Sequence, residues 1–269
     1  MFGTDLLGEE FIPAQPRAVL LIIHGMAEHR GRYTDIAKWF ATQGLACFTF
    51  DLRGHGQSPG ERADIESFQT YVDELLAIRA GIAQRYPALP LFLWAHSLGS
   101  IVAIRSVEQR GEQLRGVITS GCPLAAFASI PSPLRDTVAA LCTPFGGLRV
   151  NPGLPAQALT HDEKMQQQYL DDPLVPPKVT VRLLIELESA CRDALADAGK
   201  IVVPWLALHG EADTIAPPQG SRQLIDAIAS PDKTLQLFAG MRHEVHNEIE
   251  PAPTEFRSRV LHWIEARTT

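Results

Sequence analysis

Several things are scarce or missing in this sequence, and each absence removes a class of function. Lys and Arg number 24 against 31 Asp and Glu, so the formal charge of −7 offers no basic footprint for nucleic acid or anionic lipid. No apolar run approaches the roughly 18 residues of a membrane span. Met1-Phe2-Gly3-Thr4-Asp5 lacks the basic start and apolar core of an export signal, and a cytoplasmic protein is expected. Cys47, Cys122, Cys142 and Cys191 stand far apart, with no C-x-x-C or Cys/His metal spacing, and are read as reduced thiols. The glycines of the loop Asp51 to Gly60 do not form G-x-G-x-x-G, which argues against a dinucleotide site, and His55 within it is read as structural. Repeats and low-complexity tracts are absent. No cofactor, metal or nucleic acid is expected, and the partners should be small molecules.

What is present is a 269-residue globular chain, enough for one large α/β domain with or without an insertion. Short apolar runs at Val19–Ile23, Leu45–Phe50, Leu91–His96, Gly116–Ser120, Val202–Leu208 and Leu235–Phe238 read as buried strands. Between them lie helical patterns over Tyr33–Gln43, ended by Gly44, and over Asp64–Arg85, with further helices from Leu98, from Gln219 and through Phe256, Val260 and Ile264. A small hairpin from Phe2–Thr4 and Glu10–Ile12 is a weaker reading. Strands alternating with helices make a doubly wound, mostly parallel sheet flanked by helices. The stretch 123–200 breaks the alternation, with Pro and Gly first, then helical stripes and no strand. It reads as a helical cap inserted between 1–122 and 201–269, although ordinary surface helices would give similar stripes.

Ser97 stands alone in the tight turn between strand Leu91–His96 and the following helix. Such a strand-to-helix turn, with small residues two before and two after the Ser, is a nucleophile elbow. Gly99 meets that demand, and Ala95 replaces the usual Gly with one more methyl group. The plain alternative is a Ser that caps a helix. Partners decide between them. In an open parallel sheet functional groups gather beyond the carboxyl ends of the strands, where this chain places His24-Gly25, Ser97, Asp213 and His243. Ser, Asp, His is the chain order of an α/β-hydrolase fold. A Ser hydroxyl needs a His to take its proton, and that His needs a carboxylate to fix its tautomer. Of the nine histidines, His243 and His246 remain after those in earlier loops, the cap and the last helix, and after His96, which should point away from the site. His243 is preferred for its place nearer the strand end, and Asp213 over Glu211. The backbone N–H groups beside Gly25 lie where an oxyanion would be bound.

These pieces resemble the monoacylglycerol lipase and lysophospholipase family of serine α/β-hydrolases. The match rests on His24-Gly25-Met26-Ala27-Glu28-His29 with Arg32-Tyr33, Asp51 through Arg62, Ala95-His96-Ser97-Leu98-Gly99, Gly210-Glu211-Ala212-Asp213, Ser230 through Leu235, and His243 through Glu248. The resemblance implies Ser97 as nucleophile, Asp213 and His243 as its partners, Met26 and Leu98 as the oxyanion donors, and a single-chain lipid ester as substrate. A monoacylglycerol comes first, with a lysophospholipid or short soluble ester as rivals. Leu134, Val138, Leu141, Leu184 and Leu187 are candidate cap residues for an acyl chain and for transient contact with a membrane surface. A catalytically silent binder and other Ser-based acyl chemistry on the same fold are the alternatives.

Overall fold

The computed structural model describes residues 3–127, 133, 136, 137, 140 and 143–268. Strands β1 (Gly8–Phe11), β2 (Ala18–Ile23), β3 (Leu45–Phe50), β4 (Leu91–His96), β5 (Gly116–Ser120), β8 (Trp205–Gly210) and β9 (Lys233–Phe238) form one seven-stranded sheet in the order β1-β3-β2-β4-β5-β8-β9. All neighbours are parallel except β1, which pairs antiparallel with β3. Phe2, in the first half of the expected N-terminal hairpin, lies outside the described residues. The hairpin's second half adds an edge strand, because Gly8–Phe11 finds free backbone groups on β3. The central strands are buried along their whole length, as parallel strands covered on both faces must be.

Two apolar clusters do the covering. One packs α2 (Phe68–Arg85) and α3 (Leu98–Gln109) on one face; the other packs α1 (Thr34–Thr42) and α8 (Ala252–Glu265) on the opposite face. Helix α2 starts four residues later than its apolar pattern suggests. Ser67 Oγ caps it by accepting from Gln69 N–H, while Asp64 is occupied with Thr180 Oγ1 (2.6 Å) and the Arg182 guanidinium. Among the described residues no helix is long and apolar enough to cross a membrane.

Neighbouring strands β5 and β8 are separated in sequence by 121–204, whose described residues add nothing to the main sheet. One correction concerns strands: β6 (Arg149–Val150) pairs antiparallel with β7 (Val179–Thr180) in a separate two-stranded ribbon, too short to leave a period in the sequence. The described residues of the segment include helices α4 (Ala156–Leu159), α5 (Glu163–Asp171) and α6 (Val181–Asp197), and α7 (Gln219–Ala227) follows β8. Leu183, Leu187, Cys191 and Ala194 of α6 sit in the same cluster as α2 and α3. That helix is part of the main core.

The strand order fixes where a site can form. After β3 the chain crosses back over β2 to lay down β4, so the helices after β2 and β4 leave on opposite faces and open a crevice at the carboxyl ends of those strands.

Candidate active site

Between Leu91 and Ile104 only Ser97 is not buried. It joins β4 to α3 with φ 51° and ψ −123°, a region that costs a non-glycine residue on the order of 1–3 kcal/mol. Three hydrogen bonds hold the turn. Ser97 N–H donates to Ser120 O (2.9 Å), Ser100 N–H donates to Ser97 O (2.8 Å), and Ser100 Oγ donates to Ala95 O (2.9 Å). Gly99 is required because a Cβ there would fall 2.4 Å from His24 O. Ala95 lies inside β4, paired with Ile23 and Thr119, and its methyl group joins the core.

The end of β2 runs against this turn: a Cβ on Gly25 would lie 2.9 Å from Ser97 Cβ. His24 Nδ1–H donates to Gly25 O (2.7 Å) and Nε2 accepts from Leu52 N–H (2.9 Å), so its tautomer is fixed. Burial holds this imidazole neutral, with its pKa down to about 4. Gly25 N–H and Tyr33 OH both donate to Glu28 Oε1, at 2.5 and 2.9 Å. Met26 lines the cavity at Ser97. Leu98 opens α3, where helix geometry leaves the N–H without an internal acceptor.

From the other side of the sheet come the acid and the histidine. Asp213 Oδ1 accepts from Ile215 and Ala216 N–H (2.9 Å each), and Oδ2 accepts from His243 Nδ1–H (2.7 Å). Burial opposes the Asp213 charge, yet His243 and His209 outweigh it and hold the carboxyl well below the usual carboxylate range. Burial likewise opposes an imidazolium at His243, and there too the Asp213 carboxylate wins and raises the pKa. Glu211 is exposed. His246 stacks on Tyr33 with ring centroids 5.3 Å apart, and burial lowers its pKa to about 4. His96 does not point away as expected. Side chains two apart share a strand face, so His96 follows Trp94; both reach Ser120 Oγ, at 3.1 and 3.0 Å. Its ring packs 4.7 Å from that of His243.

Ser97 and His243 line one small cavity of about 10 Å³ with Met26, Glu28, Arg32, His96, Leu154, Leu159, Tyr169 and Glu244, roughly the space one water needs. Arg32 anchors its floor: Nη1 donates to Glu28 Oε2 (3.0 Å) and Glu244 Oε1 (2.6 Å), Nη2 to Glu244 Oε2 (2.7 Å). Burial and then Glu244 raise Glu28, while Arg32 opposes the rise; for Glu244 burial is overcome by Arg32, which brings it down to about 2. A larger groove of about 880 Å³ beside α1 and α5 meets this cavity only at Arg32. Leu187 and Leu184 pack in the core and do not line the cavity, and Leu134, Val138 and Leu141 lie outside the described residues. The lining on this side comes from Leu154, Leu159 and Tyr169, which carried no helical stripe to mark them. Glu28 and Arg32 stand inside the His24–Tyr33 motif, and His209 lies four before Asp213, but nothing in their spacing tells which would face Ser97. Among the described residues no group of His, Cys, Asp and Glu could hold a metal ion.

The profile of the family described as "Serine aminopeptidase, S33" matches residues 14–250. A monoacylglycerol lipase of Mycolicibacterium smegmatis is 31% identical over 258 residues, covering 92% of this chain and 89% of that protein. Phospholipase YtpA of Bacillus subtilis is 31% identical over 239 residues, 88% of this chain and 91% of its own. The crystal structure of Paleococcus ferrophilus monoacylglycerol lipase superposes with a TM-score of 0.88 at 30% identity, covering 98% of this chain and 100% of that one.

Proposed function

The chain belongs to the serine aminopeptidase S33 family, within the α/β-hydrolase fold and alongside the monoacylglycerol lipases, and from that premise we propose that it hydrolyses carboxylic esters of single-chain lipids, monoacylglycerols foremost, through an acyl-enzyme on Ser97. In this reading Ser97 Oγ attacks the ester carbonyl and its proton passes to His243 Nε2. The N–H groups of Met26 and Leu98 receive the negative charge that develops on the carbonyl oxygen. The tetrahedral adduct collapses, the C–O bond to the alcohol breaks, and His243 returns the proton to that alcohol. Water, deprotonated by His243, then releases the acid and frees Ser97. Asp213 holds the His243 Nδ1–H and stabilises the imidazolium.

The observation that carries this reading is the convergence of Ser97 and of His243, bonded to Asp213, on one cavity at the strand crossover. We assign 123–200 the role of a cap rooted in the main core through α6, with Leu154, Leu159 and Tyr169 lining the cavity at Ser97. Phe145, Leu148 and Leu170, each more than half exposed, are its contact with a membrane surface, met from the cytoplasm. The phospholipase relative favours a lysophospholipid as second substrate. An aminopeptidase would need a free carboxylate for the substrate's ammonium, and here both carboxylates lining the cavity are bound by Arg32. Labelling with a fluorophosphonate probe, followed by hydrolysis of esters and amides with graded acyl chains, tests the proposal. Absence of labelling at Ser97 would remove the acyl-enzyme, and preference for amides would replace the lipid ester.

A further inference from the structure

One fully buried imidazole beside the acid has no part in the reaction above. His209 is the penultimate residue of β8, four before Asp213, and its Nε2 lies 3.0 Å from Asp213 Oδ2 and 2.7 Å from Ala216 O. Neither oxygen has a proton to give, so Nε2 carries one. Its Nδ1 lies 2.7 Å from Ser221 Oγ on α7, a hydroxyl able to donate to it. Ser221 Oγ on the far nitrogen fixes the His209 tautomer, and the Nε2–H is shared between Ala216 O and Asp213 Oδ2. We propose that His209 is a positioning residue, holding the Asp213 carboxylate and tempering its pull on His243. The inference rests on the triad reading above.

The physical case is the complete occupation of one carboxylate. Two backbone N–H groups bond Oδ1 and two imidazole N–H groups bond Oδ2. With four donors the carboxylate cannot rotate without breaking a bond. Each donor also withdraws some of the charge that would otherwise bind the His243 proton. A base held too tightly as imidazolium is idle at neutral pH, so sharing Oδ2 keeps more of His243 neutral and ready. The other groups facing this pair are His96 from the end of β4, Glu28 and Arg32 from the loop after β2, and Glu244 and His246 on the loop of His243 itself. None of them bonds the carboxylate. A packing role for His209 between β8 and α7 would need no proton on Nε2.

The test is the pH profile of kcat/KM on a small ester for His209→Leu, His209→Gln and Ser221→Ala. In His209→Leu the Oδ1 bonds keep the carboxylate in place while Oδ2 is left to His243 alone, so the acid limb should move up by about 0.5 to 1 pH unit. That shift means about three- to tenfold lower kcat/KM near pH 6.5 and a difference within about twofold near pH 9. Gln can return a donor close to the Nε2 position, so His209→Gln should keep the wild-type limb. Ser221→Ala should shift the limb in the same direction by less. A limb that stays put or moves down in folded His209→Leu overturns the inference. So does an equal, pH-independent loss in Leu and Gln variants, which marks packing. If His209→Leu does not fold, Ser221→Ala decides: an unmoved limb there refutes the proposal. The triad reading fails separately, by loss of fluorophosphonate labelling in the wild-type protein.

Discussion

Ser97 occupies a strained backbone position that its neighbours' hydrogen bonds maintain, and in the proposed reaction Ser100 and Ser120 do not replace it, because their Oγ atoms are committed to β4. Ser97→Ala is therefore expected to abolish fluorophosphonate labelling and lower ester turnover by about four orders of magnitude or more, with an unchanged thermal midpoint. Near-normal turnover would discard the site. His243 makes the pH dependence opposite for activity and stability. Its folded pKa is raised above the unfolded value near 6.5, so the imidazolium's share of stability is complete below about pH 6.5 and is lost as pH rises through the folded pKa. The proposed reaction needs the neutral ring. Between about pH 6 and 8 kcat/KM should climb, with its midpoint above 6.5, while this increment of stability declines; rate profiles and thermal melts at matched pH read both. A midpoint below 6.5 would mean that Asp213 does not hold this base. The choice between His243 and His246 shows what a sequence withholds at this scale. Only two residues separate them, and the short helical turn Val245–Asn247 sends His246 inward onto Tyr33.

At the scale of elements, the site depends on backbones that approach closely where strands end. Gly210 closes β8, and a Cβ there would fall 2.1 Å from Arg242 O and 2.3 Å from Met241 O. Those carbonyls belong to the loop that carries His243, and Ala212 N–H is bonded to one of them, Met241 O, at 2.9 Å. Gly210→Ala must push that loop away and with it the His243–Asp213 bond. Misplacement by about 1 Å can cost about a hundredfold, so kcat should fall by about 10- to 100-fold, with KM much less affected and stability reduced by about 1–3 kcal/mol. Steady-state kinetics and a denaturant melt check it; wild-type kcat would show that the loop yields without moving His243. The central strands were legible because strands buried on both faces are nearly continuous apolar runs, as in Val19–Ile23 and Leu45–Phe50. Elements ruled by distant partners were not. Asp64 reads as a helix start until Thr180 and Arg182 claim it, and β6 and β7 exist only as a pair.

Over the whole molecule, the segment between β5 and β8 is tied to the loop of His243. Glu244 N–H donates to Leu159 O (2.8 Å), Thr160 Oγ1 donates to Asn247 O (2.7 Å), and His161 meets Glu248 at 3.0 Å. His29 and Asp172, 2.8 Å apart, tie the end of α5 to the loop after β2. The wall that bears Leu159 is thus fixed by its backbone, and a side-chain change there alters its chemistry more than its position. With only about 10 Å³ over Ser97, an acyl chain must displace what lines the cavity and be repaid by contact with it. Each methylene that leaves water contributes about 0.8 kcal/mol, close to fourfold in kcat/KM where the wall stays apolar. Lengthening the acyl chain should therefore raise kcat/KM stepwise in the wild-type protein. Leu159→Asn should flatten that rise, lowering the rate on a long-chain monoacylglycerol about tenfold while an acetate ester changes by about twofold or less. Labelling by a small fluorophosphonate should persist, because Leu159→Asn leaves the backbone bond from Glu244 N–H to Leu159 O in place and Ser97, Asp213 and His243 follow β4, β8 and β9. An equal loss on long and short esters would assign Leu159 to folding, and a flat wild-type profile would leave the lipid substrate with no support from the cavity.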